Sequence, residues 1–297
     1  MTAPVLSSSQ QARAARDGVL VVPARDRAAI VVRGKDRSSW LNGLVTCDVA
    51  KVVPGRAAYG LLVEKKGKIE ADFAIVASED ALLLAVPRDL RDALLAKLDH
   101  YLIMEDAALE LGEESIWFAH GPRAGELLRA APFAGTLDLL GTGGVVLAGP
   151  AAALDGADVA LGDEAGWEAL RIEHGLPRFG VEVDTSMYPQ EASLETLAVS
   201  FEKGCYLGQE VVYMLENRGH VKKKLVPLDV DGAEPLAKGT TLKTPEGEDA
   251  GEVKSSVVGP TSGRVCAIAM VKWAHVKAGA ELRAGDRVAR VRASDRA

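Results

Sequence analysis

The pattern of apolar residues changes character once along this chain, near Lys222, and that change restricts the fold more than any motif. Beyond it, residues 225–230, 241–243, 252–258, 264–271 and 287–292 alternate with turns rich in Gly, Pro and Asp. Strands that follow one another without a helix bury their apolar faces by closing on themselves, so residues 222–297 are expected to form a small β-barrel. Before Lys222, strands and amphipathic helices are mixed. Residues 28–32 read as a first strand, and Asp36 as the N-cap of a helix through Ser39, Trp40 and Leu41. Residues 58–63 and 68–77 make a hairpin across Glu64, Lys65, Lys66 and Gly67, with a further strand at 81–86. Leu90, Leu94 and Leu98 recur at helical spacing within 88–100. A second αβ unit comprises 116–119, a helix at 125–130, 145–148 and a helix over 164–174 that Gly175 and Pro177 end. The expected fold class is α+β. A flexible arm spans 1–18, a body spans 19–221 as subdomains 19–112 and 113–221, and the barrel follows.

Composition narrows the function. The chain has 297 residues, 48% of them hydrophobic and 26% charged, which is ordinary globular usage. A net charge of −7 argues against stable nucleic-acid binding, which rests on neutralising phosphates. No uncharged apolar run approaches membrane-spanning length, and the N-terminal segment lacks the apolar core of a signal peptide. A cytoplasmic, non-membrane protein is expected, as a monomer. Cys47, Cys205 and Cys266 are too widely spaced for a disulfide scaffold or a self-contained zinc site. Phosphate-loop, dinucleotide and nucleophile-elbow motifs are absent, so any chemistry comes from residues that the fold brings together.

The stretch with most chemical content is Lys203-Gly204-Cys205-Tyr206-Leu207-Gly208-Gln209-Glu210. Gly204 and Gly208 free the backbone for conformations that other residues avoid. Val211, Val212 and Leu215 then share a helical face, so the segment reads as a glycine-flanked loop entering a short helix. Cys205 would lie just ahead of the helix N-terminus with the Lys203 ammonium nearby. Both features favour a thiolate, the form that acts as nucleophile or metal ligand. The competing reading is a cysteine that packs as a small hydrophobe, which is the assignment for Cys47 and Cys266 in their apolar surroundings.

This segment resembles the K-G-C-Y-x-G-Q-E signature of the YgfZ-type folate-binding proteins, relatives of the glycine-cleavage aminomethyltransferases. WLNGLVTCDV is similar to the family's first helix and GKIEADFAIV to its central strand. ALRIEHGLPRFGVEVD resembles a segment shared with the aminomethyltransferases, and AGEVKSSVVGP with GRVCAIAMV their C-terminal barrel. Two positions depart from the pattern. Met214 stands where an arginine is usual, and Cys47 where Asn is common. The first departure removes a cation near the cysteine loop; Arg218 is one turn further on.

The resemblance implies an aminomethyltransferase-like folate-binding body followed by the barrel. On the residues alone, strand alternation in 68–77 puts Ile69, Ala71, Phe73 and Ile75 on one face and Glu70, Asp72 and Ala74 on the other, either as a solvated acidic face or as a pocket wall. Glu173 falls in the last turn of its helix, where the macrodipole disfavours an anion by about 0.3–1 kcal/mol. By resemblance, Asp72 and Glu173 are the folate-binding carboxylates, each able to accept the paired N–H donors along a pterin edge. Arg171 and Arg178 are candidates for the anionic tail of folate.

Three functions are open at this stage. The resemblance implies an accessory factor for iron–sulfur cluster assembly or repair, with tetrahydrofolate or another folate as cofactor and assembly proteins or client enzymes as partners. Cys205 would be its reactive thiolate, supported by Lys203, or one ligand of a shared cluster. The remaining ligands would come from a partner, since a cluster normally takes four. The alternative is a folate-dependent aminomethyltransferase or demethylase with true turnover. A folate-independent adaptor is the third, docking through Arg218, Lys222, Lys223 and Lys224.

Overall fold

The structure, a computed structural model, describes residues 6–293. Residues 1–5 of the expected arm and 294–297 of the expected barrel lie outside it. The chain begins with α1 (Ser8–Asp17), β1 (Leu20–Pro23), β2 (Arg27–Arg33), α2 (Arg37–Asn42), β3 (Gly55–Arg56), β4 (Ala58–Val63), β5 (Ile69–Ala77), β6 (Ala81–Pro87) and α3 (Arg91–Asp99). It continues through β7 (Ala108–Gly112), β8 (Ser115–His120), β9 (Phe133–Thr136), β10 (Gly144–Gly149), β11 (Ala160–Leu161) and α4 (Glu164–Glu173). Two short helices, α5 (Glu195–Ala198) and α6 (Gln209–Asn217), lead into β12 (Lys223–Val230), β13 (Thr241–Lys243), β14 (Asp249–Val258), β15 (Val265–Lys272), β16 (Glu281–Ala284) and β17 (Arg287–Val291).

The last six strands close into a barrel in the order β12-β15-β14-β13-β16-β17. Closure removes the unpaired edges that an open sheet of these strands would expose. Strand β16 is absent from the sequence reading. Four residues with one alternation give too short a signal.

The arm is a correction. Residues 8–17 form a helix in which Ser7 and Gln10 cap each other reciprocally. Ala12 and Ala15 pack against Leu20, Val22 and Leu170 of α4, and the buried Gln11 amide donates to Asp163 at 2.9 Å. The division at 112/113 is also corrected. The body contains a five-stranded sheet, β4-β5-β6-β2-β7, and a six-stranded sheet, β11-β1-β8-β10-β9-β3. The early strands β1 and β3 belong to the second sheet, where β1 lies antiparallel to β8 and β3 lies parallel to β9. Local pattern carries no record of such distant pairings.

One apolar cluster fills the space between the sheets, joining Leu61, Val63 and Val76 to Ile116, Phe133 and Val146, and extending to Leu225 and Met270 of the barrel. A second covers the opposite face of the five-stranded sheet, where Phe73, Ile75 and Leu84 meet Trp40 and Leu41 of α2 and Leu94 of α3. Each large aliphatic side chain so buried contributes about 1.5–3 kcal/mol. Strand β5 is therefore enclosed on both faces, so the solvated acidic face considered for it does not exist. It also carries a bulge. Leu62 pairs with Ala71 and Val63 with Ile69, which leaves Glu70 as the extra residue and returns Ile69 to the face of Ala74. Glu70 pairs with Lys97. Asp72 is directed between the sheets.

Candidate functional site

Between the sheets, beside α4, lies a cavity walled by Val22, Phe118, Leu139, Trp167 and Leu176, with Tyr59 and Asp72 on one side. The Trp167 ring stacks on His120 with centroids 4.8 Å apart and planes 9° from parallel. Burial pushes the His120 pKa down to about 4, so its neutral ring backs Trp167 as a flat surface.

Asp72 is 1% exposed. Arg27 clamps it with Nη1 to Oδ1 at 2.7 Å and Nη2 to Oδ2 at 2.8 Å, and the Tyr59 hydroxyl donates to Oδ2. Burial works against the Arg27 charge, but the attraction and hydrogen bonds of Asp72 outweigh it and raise the guanidinium's pKa. The expected paired acceptance of pterin donors is therefore corrected. Arg27 occupies the bidentate edge, and Oδ1, which accepts only from Arg27, retains one acceptor position.

Arg171 and Arg178 also line this cavity. The Arg171 guanidinium is fully engaged. Its Nε donates to Glu168 at 2.8 Å, Nη1 to Glu182 at 3.0 Å and to the Leu176 carbonyl at 3.1 Å, and Nη2 to Glu168 and Glu182. Arg178 meets Glu168 at 2.5 Å and Asp26 at 3.2 Å. Burial pushes the Glu168 carboxyl up, but Arg171 and Arg178 outweigh this and hold it below the usual range. Both arginines fix the cavity wall, and carboxylates already answer their charge.

Glu173 does not line this cavity. Its carboxylate accepts the backbone N–H groups of Thr261 at 3.0 Å and Ser262 at 2.7 Å in the barrel loop after β14. Burial pushes its pKa up, but the bonds from Ser262 and Thr261 hold it below the usual carboxylate range. These charge-assisted bonds offset the unfavourable helix position and dock the barrel on the body. Gly259 leaves room for the contact, since a Cβ there would lie 2.5 Å from Glu173 Oε1.

The cysteine segment forms a loop entering α6, as its glycine pattern predicts. Lys203 does not face the thiol. Its ammonium donates to the carbonyls of Asn42, Val45 and Cys47 at 2.6, 2.7 and 2.8 Å, tying the loop to the turn after α2. Burial pushes its pKa down to about 8, which leaves it charged at neutral pH. The role of Lys203 as electrostatic support for Cys205 is corrected on this geometry. Tyr206 is buried in the inter-sheet cluster, and the Lys203 ammonium lies 5.2 Å from its ring centroid. Gly208 adopts φ +77°, and a Cβ there would lie 2.3 Å from the Glu64 carbonyl oxygen. Gly204 differs from expectation: a Cβ at that position would meet nothing within 4 Å. Gln209 starts α6, with its N–H donating to the Tyr206 carbonyl, and Glu210 occupies the first turn, where the macrodipole favours an anion. Met214 and Arg218 are exposed.

Cys205 itself is exposed, whereas Cys47 and Cys266 are buried. Burial pushes the Cys47 thiol up to about 12 and raises that of Cys266, consistent with packing roles. No residue of 203–210 lines the cavity that holds Asp72, so the thiol and the carboxylate do not share it. Among the described residues no group of three or more His, Cys, Asp or Glu side chains is placed to hold a metal ion, and no helix is long and apolar enough to cross a membrane.

Arg27 and Tyr59, which hold Asp72, and Trp167, which walls its cavity, carry no motif that marks them in the sequence. One signal was available. An aspartate within a continuously apolar strand requires a partner, and arginine is the usual one.

Comparison with known proteins agrees with this architecture. The model described as the GCVT N-terminal domain matches residues 6–135, and that of the glycine cleavage T-protein C-terminal barrel domain matches 223–294. The tRNA-modifying protein YgfZ of Sodalis glossinidius (strain morsitans) is 27% identical over 253 residues, covering 77% of this chain and 77% of the relative. Its namesake from Enterobacter sp. (strain 638) is 28% identical over 266 residues, covering 81% of each. The glycine cleavage system aminomethyltransferase T of Bartonella henselae shares the fold, with a TM-score of 0.82 at 21% identity over 97% of this chain and 89% of that one. The two matched domains, the relatives and the shared fold place the chain in one family: it is a YgfZ-type member of the glycine-cleavage T-protein-like superfamily.

Proposed function

We propose that this protein binds a reduced folate between its two sheets and uses Cys205 to support the assembly or repair of iron–sulfur clusters. The observation that carries the reading is the fate of the cysteine motif. Lys203, Tyr206 and Gly208 are each consumed by the fold, while Cys205 is exposed and serves no packing role. Free cysteines are ordinarily among the most buried residues. A rigid frame that presents one thiol to solvent fits a residue retained for its reactivity. A cluster would draw one ligand from Cys205 and the others from a partner protein or a small thiol.

The cavity fits a flat heteroaromatic ring. Trp167 and Phe118 supply apolar walls, and Asp72 keeps one acceptor for a ring N–H. When bound there, folate would supply one-carbon or redox chemistry. The chain's own contribution is orientation and exclusion of water. The relatives carry the name tRNA-modifying protein. With 35 basic against 42 acidic residues this chain is poorly suited to hold tRNA itself, so in this reading the connection runs through iron–sulfur enzymes that it supports.

Calorimetric titration with tetrahydrofolate tests the first half, and binding is expected. Cells lacking the protein test the second: the wild type should restore iron–sulfur enzyme activity and Cys205→Ser should not. The T-protein-like fold favours a second reading, in which the protein transfers or removes one-carbon units. Formaldehyde or methylenetetrahydrofolate production from aminomethylated or N-methyl substrates, undiminished by Cys205→Ser, would establish it instead.

A further inference from the structure

Strand β7 ends the five-stranded sheet, and its backbone pairs with β2 alone. Among the described residues no other strand or loop bonds to the backbone of 108–112, so its outer row of N–H and C=O groups is open. The loop before it carries Ile103 and Met104, which at 84% and 91% exposure are the most exposed large apolar side chains among the described residues. That exposure is not fraying, because the loop is held along its length. The Trp40 indole donates to the Tyr101 carbonyl at 3.2 Å, and Glu105 accepts the N–H groups of Ile103 and Met104, each at 3.1 Å. The Asp36 N–H donates to the Asp106 carbonyl at 3.0 Å, and the Asp36 carboxylate accepts the Asp106 N–H at 2.9 Å. On β7 itself Leu109 and Leu111 share a face. Leu109 packs against the cluster that α3 covers, whereas Leu111 is 47% exposed. Residues 105–114 hold five acidic side chains and no basic one. Arg33 serves both Glu110, at 2.6 Å, and Asp80, at 2.8 Å, and Lys35 stands 3.5 Å from Asp106. Glu113 and Glu114 have no ion pair among the described residues; Arg91, in the groove beside them, pairs with Asp92.

An open strand edge, a fixed apolar tip at its start and an excess of acids along it describe a place for one more strand. We propose that β7 accepts an extended segment of a partner protein in which apolar residues alternate with lysine or arginine. The backbone of that segment extends the ladder. Its apolar residues cover Leu111 on one face of the sheet, and its cations meet Glu110 on the other. Ile103 and Met104 give it an apolar contact at the start of β7. A second copy of this chain is a poor occupant. Antiparallel pairing of β7 with itself brings acids against acids, and like charges opposite one another destabilise a sheet. Charge on a short edge strand keeps copies apart, and a basic segment turns the same charges into attraction. None of these residues lines the Asp72 cavity or belongs to 203–210, so the surface is separate from both parts of the proposed function.

The probe is a fluorescein-labelled peptide of alternating valine and lysine, titrated against the full chain by fluorescence anisotropy. Binding is expected, and it should weaken about tenfold from low to high salt as exposed charges are screened. N-methylation of all the valine nitrogens, or of all the lysine nitrogens, removes alternate donors, and only one of these sets faces β7. One methylated peptide is therefore expected to bind about tenfold more weakly than the unmodified one, and the other to bind equally well. Ile103→Ser with Met104→Ser should weaken binding about fivefold, and Glu110→Gln about threefold, with melting unchanged. Absence of binding by the unmodified peptide, or equal binding of all three peptides, overturns the proposal. So does a dimer in analytical ultracentrifugation that Leu111→Lys dissociates, since a second copy then holds the edge.

Discussion

Asp72 and Cys205 are the two polar groups most exposed to functional interpretation, and the fold treats them in opposite ways. Asp72 is held directly. Arg27 from β2 and Tyr59 from β4 converge on a carboxylate that is 1% exposed, so the site is part of the inter-sheet core. Cys205 is held only through its neighbours. Lys203 ties the loop at one end and Gly208 turns it at the other, while the thiol stands in solvent. A binding cavity can share its residues with the scaffold, because orientation is its whole task. A reactive group that must meet a partner cannot. The difference separates what stability measurements will detect from what activity measurements will detect.

The largest effect should come from the buried pair. Replacing one partner strands the other charge, so Arg27→Met should lower stability by about 3–5 kcal/mol in denaturant titrations. A loss below 1 kcal/mol would mean that Asp72 is not wired into the core. Next comes Glu173, whose two bonds to the barrel loop predict a loss of about 2–3 kcal/mol for Glu173→Ala. Its folded pKa lies below its unfolded value, so its contribution is complete above about pH 4.3 and is lost as the pH falls through the folded pKa. Acid titration of the wild type should show this loss and Glu173→Ala should lack it; identical acid limbs would refute the assignment.

Within the cysteine motif the two glycines should separate. Gly208→Ala, forced to φ +77° against the Glu64 carbonyl, should cost about 1–3 kcal/mol. Gly204→Ala should stay within about 0.5 kcal/mol, and equal effects would contradict the frame described for the loop. The smallest stability change, again within about 0.5 kcal/mol, is expected for Cys205→Ser. In the native protein iodoacetamide should modify Cys205 well ahead of Cys47 and Cys266, as mass spectrometry of the alkylated peptides can establish.

Local pattern made the barrel legible, because its strands alternate and their turns carry Gly, Pro and Asp. It also located the hairpin of β4 and β5 and the long helix α4. The helix α1 was within reach, since Ser7 and Gln10 have capping-box spacing, but its sequence shows no apolar stripe and depends on packing against α4. The short β1 was out of reach, because four apolar residues acquire strand identity only by pairing with β8. The site divides similarly. The motif identified Cys205 and the strand identified Asp72, both from residue type in context. Where Lys203, Glu173 and Arg171 direct their charges was not legible. Their partners at Val45, Ser262 and Glu182 are chosen by the tertiary fold, and nearness in sequence to Cys205 or to a pocket does not decide them.

The central claim is that the fold does without the Cys205 thiol and the function does not. Cys205→Ala, introduced in place of the wild-type protein in cells, tests both halves in one preparation. The purified variant should melt with the wild type while the cells lose iron–sulfur enzyme activity. Full enzyme activity in those cells, with the variant equally stable and equally abundant, would contradict the account.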